Sequence, residues 1–320
     1  MNREEKAKYD NEISNKFVAG TNYDDSELEA LSIQDLAVLL NSANYALVNR
    51  IVEDAEERMP NLIQKFLRIL IQKVRTIEKF YVVIDNSTGF PFIDEHADDC
   101  IWLFSTEQYA NDAVEHYTES YRNFRVQPIE NKDLGNFAED LYLNGIYGVY
   151  IDNGYASCIL KKEDLFPIQM EEAKEDPIMN PDFMLAHLEM VQEASWKVDY
   201  EERPTILKSL EKEVAKQILN AEFLVPVNAS EVEEGTVENA KLDIPCLEGK
   251  DGREAIPVFT DWKQFKFAYS GDDYKGLLIT YDHIANFIKD GKPVVINVGS
   301  CFLELNENNI KGIEAIANEE

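Results

Sequence analysis

Few residues in this 320-residue chain have a type and spacing that could do chemistry. His96-Ala-Asp-Asp-Cys100 gathers nitrogen, oxygen and sulfur donors, the ligand types that hold a divalent metal. A closed tetrahedral site needs a second histidine or cysteine pair close by, and none is adjacent, so the stretch reads as a solvated loop. Cys158 and Cys301 stand at matching places after glycine-bearing turns, Ile151-Asp-Asn-Gly-Tyr-Ala-Ser-Cys158 and Ile296-Asn-Val-Gly-Ser-Cys301. A nucleophilic thiol needs a cation, a histidine or a helix N-terminus to stabilise its thiolate. The turns supply none of these, so both cysteines read as core residues with unreactive thiols. His116, His187 and His283 have no sequence partners. With 61 acidic residues, any pairing of two carboxylates is unspecific. Gly-x-Ser-x-Gly, Gly-x-x-x-x-Gly-Lys and Gly-x-Gly-x-x-Gly after a strand are all lacking from the sequence. Lys250-Asp-Gly-Arg253 sets a glycine between two cations, which a hairpin turn explains without any phosphate. No residue is therefore assigned to catalysis, to a cofactor or to a metal.

Aromatic side chains offer a second kind of chemistry, the anchoring of a partner. Tyr109, Tyr117 and Tyr121 cluster on or just beyond one predicted helix, and Trp262 and Phe265 lie three apart on another. These five form the candidate interaction surface, against the alternative that they pack the core. The formal charge of −30 repels phosphate backbones and anionic lipid heads, so neither nucleic acid nor membrane is an expected partner. A protein partner is compatible with it. No signal peptide opens the chain and no uncharged apolar run is long enough to span a bilayer. Four cysteines, widely spaced and without Cys-x-x-Cys, fit a reduced, cytoplasmic setting.

The elements that must position these residues can be read from periodicity. Residues 1–26 are charged and weakly periodic, with Asp25 or Ser26 as cap of a short helix. Ser32-x-x-Asp35 resembles a capping box opening a helix from Ile33. Pro60 predicts a second helix start, with Leu62, Phe66, Ile69, Leu70 and Val74 as its stripe. Strands are predicted at 80–85, 90–94, 100–104, 125–129, 147–151 and 156–160, with helices at 106–117 and 132–143. The helix at 106–117 is expected to open on a Ser105–Gln108 capping box. Residues 161–204, acidic and interrupted by prolines, read as a linker carrying one helix at 182–196. A helix at 205–221 leads into strands at 223–227, 242–247, 255–259, 277–280, 294–298 and 301–305. Helices are placed at 261–267 and at 284–289, the latter capped by Asp282.

These predictions repeat. Lys79–Phe166 and Ala221–Lys311 follow one plan, each opening on an apolar strand, Phe80-Tyr-Val-Val-Ile-Asp-Asn86 and Phe223-Leu-Val-Pro-Val-Asn228. Each then places a phenylalanine at a strand end, Ile101-Trp-Leu-Phe-Ser105 and Ile256-Pro-Val-Phe-Thr260. Several connections are too short for a crossover helix, which disfavours a purely parallel sheet. The expected class is α+β, two repeated mixed-sheet units with helices packed on the sheet, plus N-terminal helices. The expected division is 1–78, 79–166, 167–204 and 205–320.

Ile244-Pro-Cys-Leu-Glu-Gly-Lys-Asp-Gly-Arg-Glu-Ala-Ile-Pro-Val-Phe-Thr-Asp-Trp262 resembles the opening of the SseB N-terminal domain, with a strand ending near Asp-Gly-Arg, an apolar pair, then Phe-Thr and a short helix. Val294-Val-Ile-Asn-Val-Gly299 is similar to the family's apolar strand running into Asn-Pro-Gly, with Val298 where the family has proline. The earlier repeat keeps the outline in Ile101-Trp-Leu-Phe-Ser-Thr106 and Val149-Tyr-Ile-Asp-Asn-Gly154. The resemblance implies a cytoplasmic bacterial protein and brings no catalytic residues with it. The expected function is a non-catalytic protein-interaction or regulatory module. The alternative is a ligand sensor or enzyme using a cleft between the repeats.

Overall fold

The computed structural model describes residues 3–94, 97, 99–156, 158–167, 178–228, 244–249 and 252–317. Among the sequence expectations, His96, Asp98, Lys250, Asp251 and residues 242–243 lie outside that set.

The N-terminal layer is helical: α1 (Arg3–Ser14), α2 (Asp25–Glu29), α3 (Ile33–Asn49) and α4 (Ala55–Thr76). The α3 start follows its sequence signal. Ser32 Oγ accepts from Asp35 N and Asp35 Oδ2 accepts from Ser32 N, both at 3.1 Å, so two otherwise unpaired amides are satisfied reciprocally. The cap of α2 is Asp24, one residue before the expected position, because its carboxylate reaches Ser26 N at 2.8 Å. Pro60 does not begin α4 but lies inside it. The buried stripe explains why: Ala55 and Met59 continue Leu62, Phe66, Leu70 and Val74 backwards at spacings of three and four. Burying each large member of this stripe stabilises the layer by roughly 2 kcal/mol, enough to carry the helix through a proline in its second turn.

The first mixed-sheet unit runs β1 (Lys79–Asp85), β2 (Ile93–Asp94), β3 (Cys100–Phe104), α5 (Glu107–Thr118), β4 (Phe124–Glu130), α6 (Leu134–Leu143), β5 (Gly148–Ile151), β6 (Cys158–Lys161) and α7 (Lys162–Leu165). Its strand order is β4-β1-β3-β5-β6, with β2 paired to β3. Only β3 and β5 are parallel. After α8 (Pro181–Ser195) and α9 (Arg203–Asn220) comes the second unit: β7 (Glu222–Asn228), β8 (Leu247–Glu248), β9 (Glu254–Val258), α10 (Trp262–Ala268), β10 (Tyr274–Thr280), α11 (Tyr281–Lys289), β11 (Val294–Ile296), β12 (Leu303–Leu305) and α12 (Glu307–Ala317). Here β10 pairs antiparallel with β7, β9 parallel with β11, and β11 antiparallel with β12, while β8 lies on β9. The order and senses repeat those of the first unit.

One seam differs. β7 and β9 meet only at Leu224 and Phe259, which exchange both backbone hydrogen bonds at 2.9 Å. That register sets Pro226 opposite Pro257, where the first unit has Val83 opposite Trp102. The next hydrogen-bonded pair of the ladder therefore contains no N–H donor, and the pairing stops.

Both sheets bury two faces by alternation. Phe80, Val82 and Ile84 face the main core, as do Phe223 and Val225. Val83 faces a smaller core with Trp102, Phe104 and Phe124 under α5. Leu224 does the same with Phe259 and Phe265 under α10. The main core is continuous from Ile13 to Ile313 and includes α8.

Helix α8, expected within a linker, is a buried strut. Phe183, Met184, Ala186, His187 and Leu188 are buried. At its start, Asn180 Nδ2 donates to the carbonyls of Glu222 and Thr260, both at 2.7 Å, and Asn180 Oδ1 accepts from Glu222 N at 3.0 Å. At its far end, Gln192 accepts from Ile93 N at 3.1 Å and donates to Pro91 O at 3.0 Å. One end therefore completes the backbone pairing of the second unit and the other end that of the first. Gly145, in the left-handed region at φ 69°, turns the chain so close to α8 that a Cβ there would lie 2.5 Å from the Pro181 carbonyl.

Two further helix starts depart from expectation. Thr106, not Ser105, caps α5 by accepting from Tyr109 N at 3.3 Å, because the Ser105 hydroxyl is committed elsewhere. Thr280, not Asp282, caps α11, with His283 reaching back to its amide at 3.3 Å.

Candidate functional site

Each unit has a polar corner where β5 or β11 ends. Asp152 and Asn297 take left-handed backbone at φ 48° and 54°, and a left-handed glycine follows two residues later, Gly154 and Gly299. Asp152 N donates to Leu103 O, and Asn297 N to Val258 O, both at 2.9 Å. In the first unit the Asp152 carboxylate receives Ser105 N at 2.8 Å, Ser105 Oγ at 2.8 Å and Gln34 Nε2 at 2.7 Å. In the second, Asn297 Oδ1 accepts from Thr260 N at 3.0 Å and Asn297 Nδ2 donates to Thr260 Oγ1 at 2.9 Å. The Thr260 hydroxyl proton goes to Asp261 Oδ2 at 2.8 Å. Each corner thus holds one carboxylate, at Asp152 in the first and at Asp261 in the second, and the hydroxyl between is oriented to match. Burial pushes the Asp152 carboxyl up from its ordinary value, partly offset by the Ser105 and Gln34 hydrogen bonds. Every polar atom named here is spent on holding the turn.

The cysteines follow this geometry. Cys158 pairs in register with Ile151, and in the second unit it is Leu303 that pairs with Ile296. Cys158 and Cys301 are therefore not equivalent, as their sequence spacing implied; Cys301 corresponds to Ala156. The shorter distance from Gly299 to Cys301 hid this, because strand register rather than turn content sets equivalence. Both thiols are pushed up to about 12, by burial first and then by Asp152 for Cys158 and Asp85 for Cys301.

Cys301 has a histidine neighbour that the sequence did not reveal. His187 Nε2 lies 3.6 Å from its sulfur and 3.2 Å from its carbonyl oxygen. The carbonyl can only accept, so Nε2 carries the proton and does not serve as base toward the thiol. Burial pushes the imidazole down from its ordinary value, partly offset by that carbonyl. A neutral histidine beside a neutral thiol is packing, not an activated nucleophile. Cys100 is buried, and no cluster of metal-ligand side chains occurs among the described residues.

The aromatic candidates separate. Tyr109 stacks on Tyr155 with ring centroids 3.8 Å apart. Tyr117 packs on Trp102 at 4.6 Å. Phe265 is buried against Phe259 at 5.5 Å. Tyr121, in the left-handed region at φ 61°, is exposed. Trp262 is half-exposed and lies across Gly276, where a Cβ would come within 2.7 Å of its ring. Tyr109 and Tyr117 sit on α5 with Tyr121 just beyond its end, whereas Trp262 and Phe265 sit on α10 of the other unit, so the two groups do not form one surface.

A cavity of about 250 Å³ lies between β1, β4, α6 and α8. Val82, Ile84, Ile129, Phe137, Leu141 and Leu188 form its apolar walls. Its polar lining comes from Gln127 on β4 and from one stripe along α6 and the residues flanking it, Asp133, Asn136, Asp140 and Asn144. Lys263, on α10 of the second unit, reaches across to this lining. Its Nζ stands 2.6 Å from Asp140 Oδ1, 3.2 Å from Glu139 Oε2 and 3.4 Å from the Asn136 carbonyl. Burial raises the Asp140 carboxyl from its ordinary value, with Lys263 opposing the shift. No local sequence signal marks this constellation, since Lys263 and Asp140 are far apart in the chain.

Residues 207–311 match the SseB protein N-terminal domain family, a stretch from within α9 into α12 that contains every strand of the second unit. No curated protein and no solved structure matches the chain. No helix among the described residues is long and apolar enough to cross a membrane.

Proposed function

We propose that the chain is a bacterial, cytoplasmic, non-catalytic protein-interaction or regulatory module built from two SseB-like units. The second unit lies within 205–320, and a diverged first copy occupies 79–166. The N-terminal helices, within 1–78, and helix α8, within 167–204, brace them. Shared strand order and the paired Asp152 and Asn297 corners support a common origin for the two units.

The observation that carries the interaction reading is the unequal cover of equivalent sheet faces. Helix α5 spans 12 residues over the first sheet, whereas α10 spans 7 over the second. Trp262 is left 39% exposed, Phe267 71%, Tyr274 36% and Leu278 45%. Leu278 stands opposite Leu224, and Tyr274 and Gly276 share its side of β10, so three of these side chains share the α10 face. Phe267 extends the patch across the β11–β12 turn, where its ring lies 2.9 Å from a Cβ built on Gly299. Contiguous apolar residues of this kind mark contact surfaces.

The test places a photo-crosslinking residue at Leu278 in cells, with a second at the exposed Lys8 on α1 as control. A discrete adduct formed from position 278 alone, and lost on Phe267→Ser, supports the reading. Equal adducts from both positions, or none from position 278, overturn it. A second reading, a ligand-responsive regulator, is favoured by the cavity beside α6.

A further inference from the structure

We propose that the cavity between β1, β4, α6 and α8 binds a small primary amine with an apolar body, whose ammonium takes the place of Lys263 at Asp140 and Glu139. This rests on the ligand-responsive reading and names its ligand class and its switch.

Three observations lead to the amine. The first is size. A space of about 250 Å³ is at the small end of ligand pockets and suits a compact molecule rather than a nucleotide. The second is charge. The described lining includes Asp133 and Asp140 and no lysine, arginine or histidine, so an anion entering it would meet like charge, while an apolar tail would meet Val82, Ile84 and Leu188. The third is that the rim already holds an ammonium. A protonated amine has three donors, and the rim offers Lys263 three acceptors, Asp140 Oδ1, Glu139 Oε2 and the Asn136 carbonyl. Asn136 stands three residues before Glu139 and four before Asp140 on the same helix, the spacings that share a face, and one ammonium reaches all three. The half-buried Asp140 carboxylate favours a cation there: burial raises its carboxyl from the ordinary value, and the Lys263 ammonium opposes that shift.

The lysine is a competitor from the other unit. It stands on α10 directly after Trp262, beside the exposed apolar face formed by Trp262, Phe267 and Leu278. A ligand ammonium that displaces Lys263 removes the ion pair tying α10 to α6. Occupancy of a cavity in the first unit would then change the restraint on the contact surface of the second. The coupling is reciprocal: a partner that draws α10 away from α6 opens the amine site.

The experiment titrates 3-methylbutan-1-amine into the full chain by calorimetry and follows the Trp262 indole signal by NMR. The uncharged isostere 3-methylbutan-1-ol and the anion 4-methylpentanoate serve as controls. Saturable binding of the amine alone, abolished by Asp140→Asn and by the cavity-filling Leu188→Trp, is expected. Lys263→Met removes the competitor and should tighten the amine by about tenfold if the closed pair occupies some nine-tenths of molecules. The Trp262 indole should shift along the same titration. Unchanged amine affinity in Lys263→Met overturns the competition. Equal binding of alcohol and amine overturns the ammonium site. Binding of 4-methylpentanoate in its place overturns the amine but leaves a ligand-responsive regulator standing. If no probe binds even Lys263→Met, the ligand-responsive reading falls with it. Should Asp140→Asn unfold, the Leu188→Trp and Lys263→Met arms decide alone.

Discussion

Replacing Asn297 tests whether the polar corner holds the second unit together. Asn297 and Thr260 are fully buried. In Asn297→Ala the Thr260 amide loses its acceptor at 3.0 Å, and leaving such a buried donor unpaired costs about 1–3 kcal/mol. Alanine also holds the left-handed backbone at φ 54° less readily than asparagine, whose short polar side chain bonds locally and eases that region, which adds roughly 1 kcal/mol. The sum is about 2–4 kcal/mol. For a large domain each kcal/mol lowers Tm by roughly 2–4 °C, so a loss near the middle of that range lowers Tm by about 6–12 °C. Asn297→Gly loses the same hydrogen bonds but accepts the backbone, and should sit roughly 1 kcal/mol above the alanine variant. Urea unfolding with an unchanged slope measures both. If the two variants coincide, the backbone contribution is wrong. If both stay within about 0.5 kcal/mol of the wild type, the margin of an ordinary surface change, the corner does not hold the turn.

Three other outcomes follow from the buried titratable groups. Asp152 has its folded carboxyl raised above the ordinary 3.8, so its contribution is fully present below that value and lost as pH rises through the folded value. Asp152→Asn should remove this slope, and its stability relative to wild type should rise with pH across that window in urea midpoints. His187 is shifted the other way, below its ordinary 6.5, so its contribution is present above that value and lost as pH falls toward the folded one. His187→Gln should therefore flatten acid destabilisation just below neutrality, and an unchanged profile would show that the imidazole is not held neutral. Cys158 and Cys301, with thiols pushed up to about 12, should resist iodoacetamide in the native chain and react in urea, as read by peptide mass mapping. Rapid native labelling of Cys301 would mean that His187 does activate it.

Much of the fold was legible because local signals agreed with the tertiary outcome. The Ser32 and Asp35 capping box and the stripe from Leu62 to Val74 lie where their chemistry predicts. Errors arose where a nearby residue had a stronger claim. Ser105 could not cap α5 because its hydroxyl serves Asp152. Pro60 could not start α4 because Ala55 and Met59 had apolar surface to bury. Helix α8 read as part of a linker because its fixing residues, Asn180 and Gln192, are polar and bond to distant backbone. Periodicity sees apolar faces and not such partners. The candidate site was less legible still. Of the five aromatic candidates, Phe265 serves the core, and the ammonium rim joins Asn136, Glu139, Asp140 and Lys263 across two units. Only three-dimensional proximity assembles it.

The facing prolines at 226 and 257 give the second sheet a fault line. Among the described residues, peeling β7 and β10 from the other strands breaks the paired amides of Leu224 and Phe259 and the Asn180 bridge from Glu222 to Thr260, whereas the first sheet runs unbroken from β4 to β6. Amide exchange in β10 and β7 is then governed by a local opening cheaper than global unfolding. The face bearing Trp262 and Leu278 straddles that fault, so its shape can flex without melting the molecule.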